Sequence, residues 1–158
     1  MKIWLVACYK LNEIARLKLN LSNQNFDYYL PKIYIQKINS PKKRELMFPG
    51  YIFINIDLKF YNVLRYTKGI KKILKFGNNI PILNNDDIQD IINAEKFSSS
   101  NPVTKIFKLG QEVLIKKGSL KGNLVKVQSL PEARRIDVLI HILGSKRKVS
   151  VAVSDLGI

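Results

Sequence analysis

Cysteine and histidine are almost absent from this chain, each occurring once, as Cys8 and His141. A lone cysteine excludes an intrachain disulfide framework and any cysteine-based zinc cluster. A lone histidine excludes a His-rich metal site. His141 also lies in an alternating apolar stretch, where it makes a poor base for a nucleophile. No catalytic residue, metal or cofactor is therefore expected. Long apolar runs are missing too: no stretch approaches the roughly 18 residues of a membrane span. The run before Cys8, residues 3–7, is shorter than a secretory h-region, so Cys8 reads as a buried strand cysteine and not as a lipoprotein site. A cytoplasmic protein without a membrane partner is expected.

Acidic residues are scarce, 12 Asp+Glu against 27 Lys+Arg, which leaves a net charge of +15 on 158 residues. The excess is spread along the chain, with 16 basic against 8 acidic residues up to position 96 and 11 against 4 beyond it. Surplus positive charges repel one another, so a polyanionic partner is the natural explanation: nucleic acid first, an anionic membrane surface second. Hydrophobic residues at 46% and charged ones at 25% exclude bulk disorder. The length suits one ordinary domain or two small ones.

Residues 2–9, rich in Ile, Val, Trp and Tyr, read as a strand. Ile14, Leu17 and Leu21, with Ala15 on the same side, recur at helical spacing, and Asn12 is placed to cap a helix reaching about Gln24. Residues 26–38 and 46–56 alternate as strands on either side of the basic turn Asn39-Ser40-Pro41-Lys42-Lys43-Arg44, which predicts an antiparallel hairpin. A short helix over 58–66 ends at Gly69, a strand follows over 70–76, and Asn84 or Asn85 caps a helix through Ile88, Ile91 and Ile92. Ser98-Ser99-Ser100-Asn101-Pro102 is the best linker in the chain. The irregular alternation before it predicts an α+β sandwich. The short β runs with glycine turns after about residue 107 predict a small barrel.

Two stretches carry most of the information. In Leu46-Met47-Phe48-Pro49-Gly50-Tyr51-Ile52-Phe53-Ile54, proline and glycine inside a strand predict an edge or a bulge. Tyr51 and Phe53 share one face there, either as core or as the lining of a groove. The second is Gly110-x-x-Val113-x-Ile115-x-x-Gly118-Ser119-Leu120-x-Gly122, a glycine spacing that marks KOW-type small barrels.

Together these stretches resemble the NusG family of transcription elongation factors over essentially the whole chain. Trp4, Tyr9-Lys10, Asn23-Gln24, Pro31, Phe48-Pro49-Gly50-Tyr51-Ile52-Phe53, Thr67, Gly69-Ile70, Phe76-Gly77 and the stretch from Gly110 carry the resemblance. Glu132-Ala133-Arg134, and Val125 in place of a later KOW glycine, are similar to the specialised RfaH branch. Val138-Leu139-Ile140-His141-Ile142-Leu143-Gly144 is similar to ordinary NusG. The resemblance implies an NGN domain over 1–96 (an antiparallel sheet flanked by helices), a linker over 97–106 and a KOW domain over 107–158. That last domain would be a five-stranded β-barrel, or a helical hairpin if autoinhibited as in RfaH. It further implies a monomeric elongation and antitermination factor that binds the clamp helices of the largest RNA polymerase subunit through Tyr51, Phe53, Phe76 and Ile88. Non-template single-stranded DNA would meet Lys10, Arg16, Thr67 and Lys68. The segment Phe60-Tyr61-Asn62-Val63 replaces a polar polymerase contact of RfaH. Glu45 and Arg134 match an interdomain latch, and Ile142 and Leu143 would face a second partner, ribosomal protein S10 or Rho.

Residues 129–143 carry two local signals. Ile136, Val138, Ile140 and Ile142 alternate as in a strand, whereas Ser129-Leu130-Pro131-Glu132 matches a helical capping box followed by i,i+4 apolar pairs. Either a plain barrel strand or two packings of similar energy would satisfy them. A KOW-type ribosomal RNA-binding module is the alternative function, distinguished by association with ribosomes and not with polymerase.

Overall fold

The continuous apolar run at the start of the chain belongs at the centre of a sheet, where both faces of a strand are covered. In the computed structural model, which describes residues 1–36, 39–75, 77–100, 135–136 and the backbone of 150–152, this run is β1 (Lys2–Tyr9), buried from Leu5 onward. It pairs antiparallel with β5 (Tyr51–Asp57) on one side and β6 (Ile70–Ile73) on the other. β2 (Asp27–Tyr29) adds outside β5, giving the order β2-β5-β1-β6. The expected antiparallel sheet flanked by helices is therefore present.

Two compact units emerge. The first, which among the described residues takes in 1–30, 50–85 and 150–152, holds this sheet. Leu5, Ala7 and Tyr9 of β1 and Ile52, Ile54 and Ile56 of β5 pack against Leu17 and Leu21 of α1 (Ile14–Asn23) and Tyr61 and Leu64 of α2 (Tyr61–Arg65). Full burial of each aliphatic side chain stabilises by about 1.5–3 kcal/mol, so this layer is what holds the unit together. Asn12 does not cap α1: it lies in a 3-10 turn, Leu11–Glu13, that precedes the helix, and Ala15 is exposed. The helix ends on Asn25 in the left-handed conformation (φ 59°). The Phe26 N–H then donates to the Leu21 carbonyl at 2.9 Å and the Asn25 N–H to Ser22 at 3.0 Å, satisfying two terminal carbonyls. β7 (Asn79–Pro81) pairs antiparallel with β8 (Ser150–Ala152).

Each of the two long strands expected around the basic turn is broken in two. The breaks fall at Pro31 and across Met47-Phe48-Pro49-Gly50, where proline lacks the N–H a ladder needs and Gly50 turns at φ +85°. The unit boundary follows these breaks: of the described residues, those in 31–49, 86–100 and 135–136 form the second unit. Its hairpin is β3 (Lys32–Ile35) against β4 (Lys43–Leu46), in register Lys32↔Leu46 through Ile35↔Lys43.

The expected helix from Asn85 is α3 (Asn85–Ser100), and it runs through the serines read as a linker. The hairpin explains why. The Ser98 hydroxyl donates to the Glu95 carbonyl at 2.6 Å and accepts the Tyr34 N–H at 3.1 Å, and Lys42 Nζ donates to the Ser99 carbonyl at 2.7 Å. Glu95 accepts the Lys32 N–H and lies 3.7 Å from Arg44. Of the expected KOW domain, the described residues are Arg135 and Ile136, helical and fully buried, and β8. The barrel itself lies outside the described residues. No described helix is long and apolar enough to cross a membrane.

Candidate nucleic-acid interface

Three of the four residues expected to meet DNA converge on one end of the sheet. Lys10 follows Tyr9, which pairs with Ile70 at the start of β6, and Lys68 stands two residues before Ile70. Arg16, Asn20 and Gln24 form one stripe of α1 at four-residue spacing. Asn20 Nδ2 donates to the Lys68 carbonyl at 2.9 Å. Arg16, one turn earlier and about 6 Å along the axis, therefore lies beside the same turn. Lys10, Arg16 and Lys68 are all exposed, and so are Lys71 and Lys72 of β6. Glu13 reaches Arg16 at 3.9 Å, an exposed i,i+3 pair of a few tenths of a kcal/mol that leaves the guanidinium available.

Thr67 has a different place. It is 4% exposed, and its hydroxyl lies 3.1 Å from Gln24 Oε1 and 3.0 Å from the Val63 carbonyl. The side chain expected to touch DNA instead ties the turn to α1. Gly69 completes the joint: at φ +105° it packs so tightly that an added Cβ would stand 2.8 Å from the Leu17 Cβ. The basic turn is thereby fixed on α1 by two side-chain hydrogen bonds and one close backbone approach.

The far end of the sheet carries both signs, Asp27 and Asp57 beside Lys2, Lys59 and the N-terminal ammonium, which lies 3.5 Å from Asp57. At the far end of β1, Lys2 pairs with Asp57, and Asp27 pairs with Asn55. Eight residues of strand separate that end from Lys10, about 25 Å, well beyond a Debye length of about 8 Å. The Lys59 N–H donates to Asp57 at 3.1 Å and holds its carboxyl below the usual range.

Of the four residues expected to meet polymerase, two, Tyr51 and Phe53, share one face of the sheet. They lie opposite Cys8 and Val6. Phe53 is fully buried and Tyr51 half-buried. Ile88 lies in α3, 4% exposed, in the second unit. Phe76, Arg134, Ile142 and Leu143 lie outside the described residues. Glu45, partly exposed on β4, stands opposite Ile33. Beside it, Arg135 Nη1 donates to the Met47 carbonyl at 2.9 Å. Phe60 and Val63 are 44% and 52% exposed and line a cavity of about 420 Å³ with Phe26 and Ile56, an apolar edge in place of a polar one. Cys8 is buried as expected, and burial pushes its thiol up.

The model of the family described as transcription termination factor NusG matches residues 2–92. The chain belongs to the NusG family. The transcription termination/antitermination protein NusG of Thermus thermophilus is 24% identical over 93% of this chain and 89% of its own length. A solved structure, "Domain interaction in Thermotoga maritima NusG", covers 72% of this chain and 69% of its own at 17% identity and a TM-score of 0.41. The family match takes in the whole basic cluster and the Tyr51–Phe53 face. Sequence reasoning passed over the exposed aromatic Tyr66, although the run Arg65-Tyr66-Thr67-Lys68 sets it between two cations.

Proposed function

We propose that this chain is a transcription termination/antitermination factor that acts on elongating RNA polymerase and has no catalytic activity of its own. It binds the clamp helices through Tyr51, Phe53, Phe76 and Ile88, and reaches non-template single-stranded DNA through Lys10, Arg16 and Lys68, with Thr67 holding the turn. Its C-terminal domain recruits ribosomal protein S10 or Rho through Ile142 and Leu143. The observation that carries this reading is the family match over residues 2–92, which contains every one of the polymerase and DNA residues named. Phe53→Ala is a poor test, because a fully buried phenylalanine leaves a cavity costing about 3–5 kcal/mol. Half-buried Tyr51 is the better probe. Tyr51→Ala should weaken capture of purified RNA polymerase by the full chain while the thermal melt stays close to wild type. Undiminished capture would remove this face from the site.

A second, finer reading is the RfaH-like closed state. It is supported by the helical, fully buried Arg135 and Ile136, and by the Arg135 hydrogen bond to Met47, two residues from Glu45. In this state Glu45 and Arg134 form the latch. Glu45→Ser should release the C-terminal segment, with loss of helical circular dichroism, and the charge swap Glu45→Arg with Arg134→Glu should restore it. Identical spectra for wild type and Glu45→Ser would refute the latch.

A further inference from the structure

Tyr66 is the most exposed aromatic among the described residues, at 73%. A tyrosine left in water has its apolar ring uncompensated, and nothing in the core requires it there: Leu64 and Thr67 on either side supply the buried anchors. The Arg65 guanidinium lies 4.8 Å from the ring centroid, within cation–π range. The residue stays 73% exposed with that guanidinium in place, so most of the ring remains open to solvent. Lys68 follows two residues later on a turn pinned to α1, which fixes ring and charges on one rigid platform.

We propose that Tyr66 is a stacking platform for an unpaired base of single-stranded nucleic acid, with Arg65 and Lys68 holding the flanking phosphates. The proposal rests on the nucleic-acid reading of the basic cluster and adds to it a contact that reads strandedness. Phosphates alone cannot provide this, because a basic patch attracts duplex and single strand alike. An aromatic ring stacks only on a base freed from its own duplex. Charge complementarity favours this occupant over an apolar protein partner. Residues 58–78 contain five lysines and one arginine after Leu58 and no carboxylate.

The experiment is fluorescence anisotropy of the full chain with a labelled single-stranded oligonucleotide, its RNA counterpart and the same sequence as duplex, across a salt series. Tyr66→Ala should weaken single-strand binding by about 5- to 150-fold, the range for one lost base–aromatic stack. It should leave the salt slope unchanged, since no cation is removed. Tyr66→Phe should bind like wild type, and duplex affinity should not change with either variant. Single-strand affinity unchanged in Tyr66→Ala, with wild type binding in a salt-dependent manner, overturns the stack and leaves the basic cluster standing. An equal loss on duplex and single strand also overturns it. No binding by wild type overturns both readings together. Equal losses on DNA and RNA fit stacking; a loss confined to one sugar overturns a platform that reads only the base face.

Discussion

Gly69 joins the basic turn to α1, and Gly69→Ala tests that joint. Its φ of +105° lies where L side chains are strained, at a cost of about 1–3 kcal/mol. The new Cβ would also stand 2.8 Å from the Leu17 Cβ and 3.0 Å from its Cα. Backbone cannot swing aside as a side-chain tip can, so overpacking adds about 1–3 kcal/mol. The sum, about 2–6 kcal/mol, is a large share of an ordinary domain's stability and lowers Tm by about 5–20 °C. Gly77→Ala is the control: φ is +60°, and among the described residues an added Cβ meets no atom within 4 Å, leaving a conformational cost of about 1–2 kcal/mol. Urea titration followed by Trp4 fluorescence measures both. If α1 gives way to relieve the clash, the Asn20–Lys68 bond lengthens and single-strand affinity falls with stability. Gly69→Ala as stable as Gly77→Ala would refute the close approach.

Removing charge at Lys10, Arg16 and Lys68 together should flatten the salt dependence of single-strand binding by about 0.7 per lost phosphate contact, and an unaltered slope assigns these charges to solubility. Thr67→Val should cost about 1 kcal/mol in urea denaturation through its lost hydroxyl partners. Cys8 should resist thiol reagents in the folded chain, its thiol buried and its pKa raised, and react once urea unfolds it; prompt native labelling would contradict the packing. Asp57, held below the usual carboxylate range, contributes stability that is complete above its unfolded pKa of about 4 and is lost as pH falls through the lower folded value. Asp57→Asn should therefore flatten the acid limb of the stability profile, read as the urea midpoint against pH.

The amphipathic stripe Leu17–Leu21, the central strand at residues 2–9, the hairpin around residues 39–44 and the start of α3 were all legible, because each follows from local periodicity or turn chemistry. That Ser98–Ser100 are helical was not legible. A serine run has no apolar pattern, and its partners, the Tyr34 N–H and the Lys42 ammonium, come from the distant hairpin. Asn12 lost its capping role to a 3-10 turn that local signals do not distinguish from a helix start.

Composition alone determined that this protein carries a surplus of positive charge and has too few cysteines and histidines for an intrachain disulfide, a cysteine-zinc cluster or a His-rich metal site, and its motifs alone pointed to the family. Where the charge gathers was a tertiary matter. Lys10 and Lys68 are 58 positions apart, and they come to the same end of the sheet because β1 and β6 are neighbours, Tyr9 pairing with Ile70. Thr67 and Tyr66 are adjacent in sequence and equally able to meet a ligand, yet one is spent inside the joint and the other is left in water. That difference depends on which side of a tight turn faces α1, a direction set by Gly69 and by packing against Leu17.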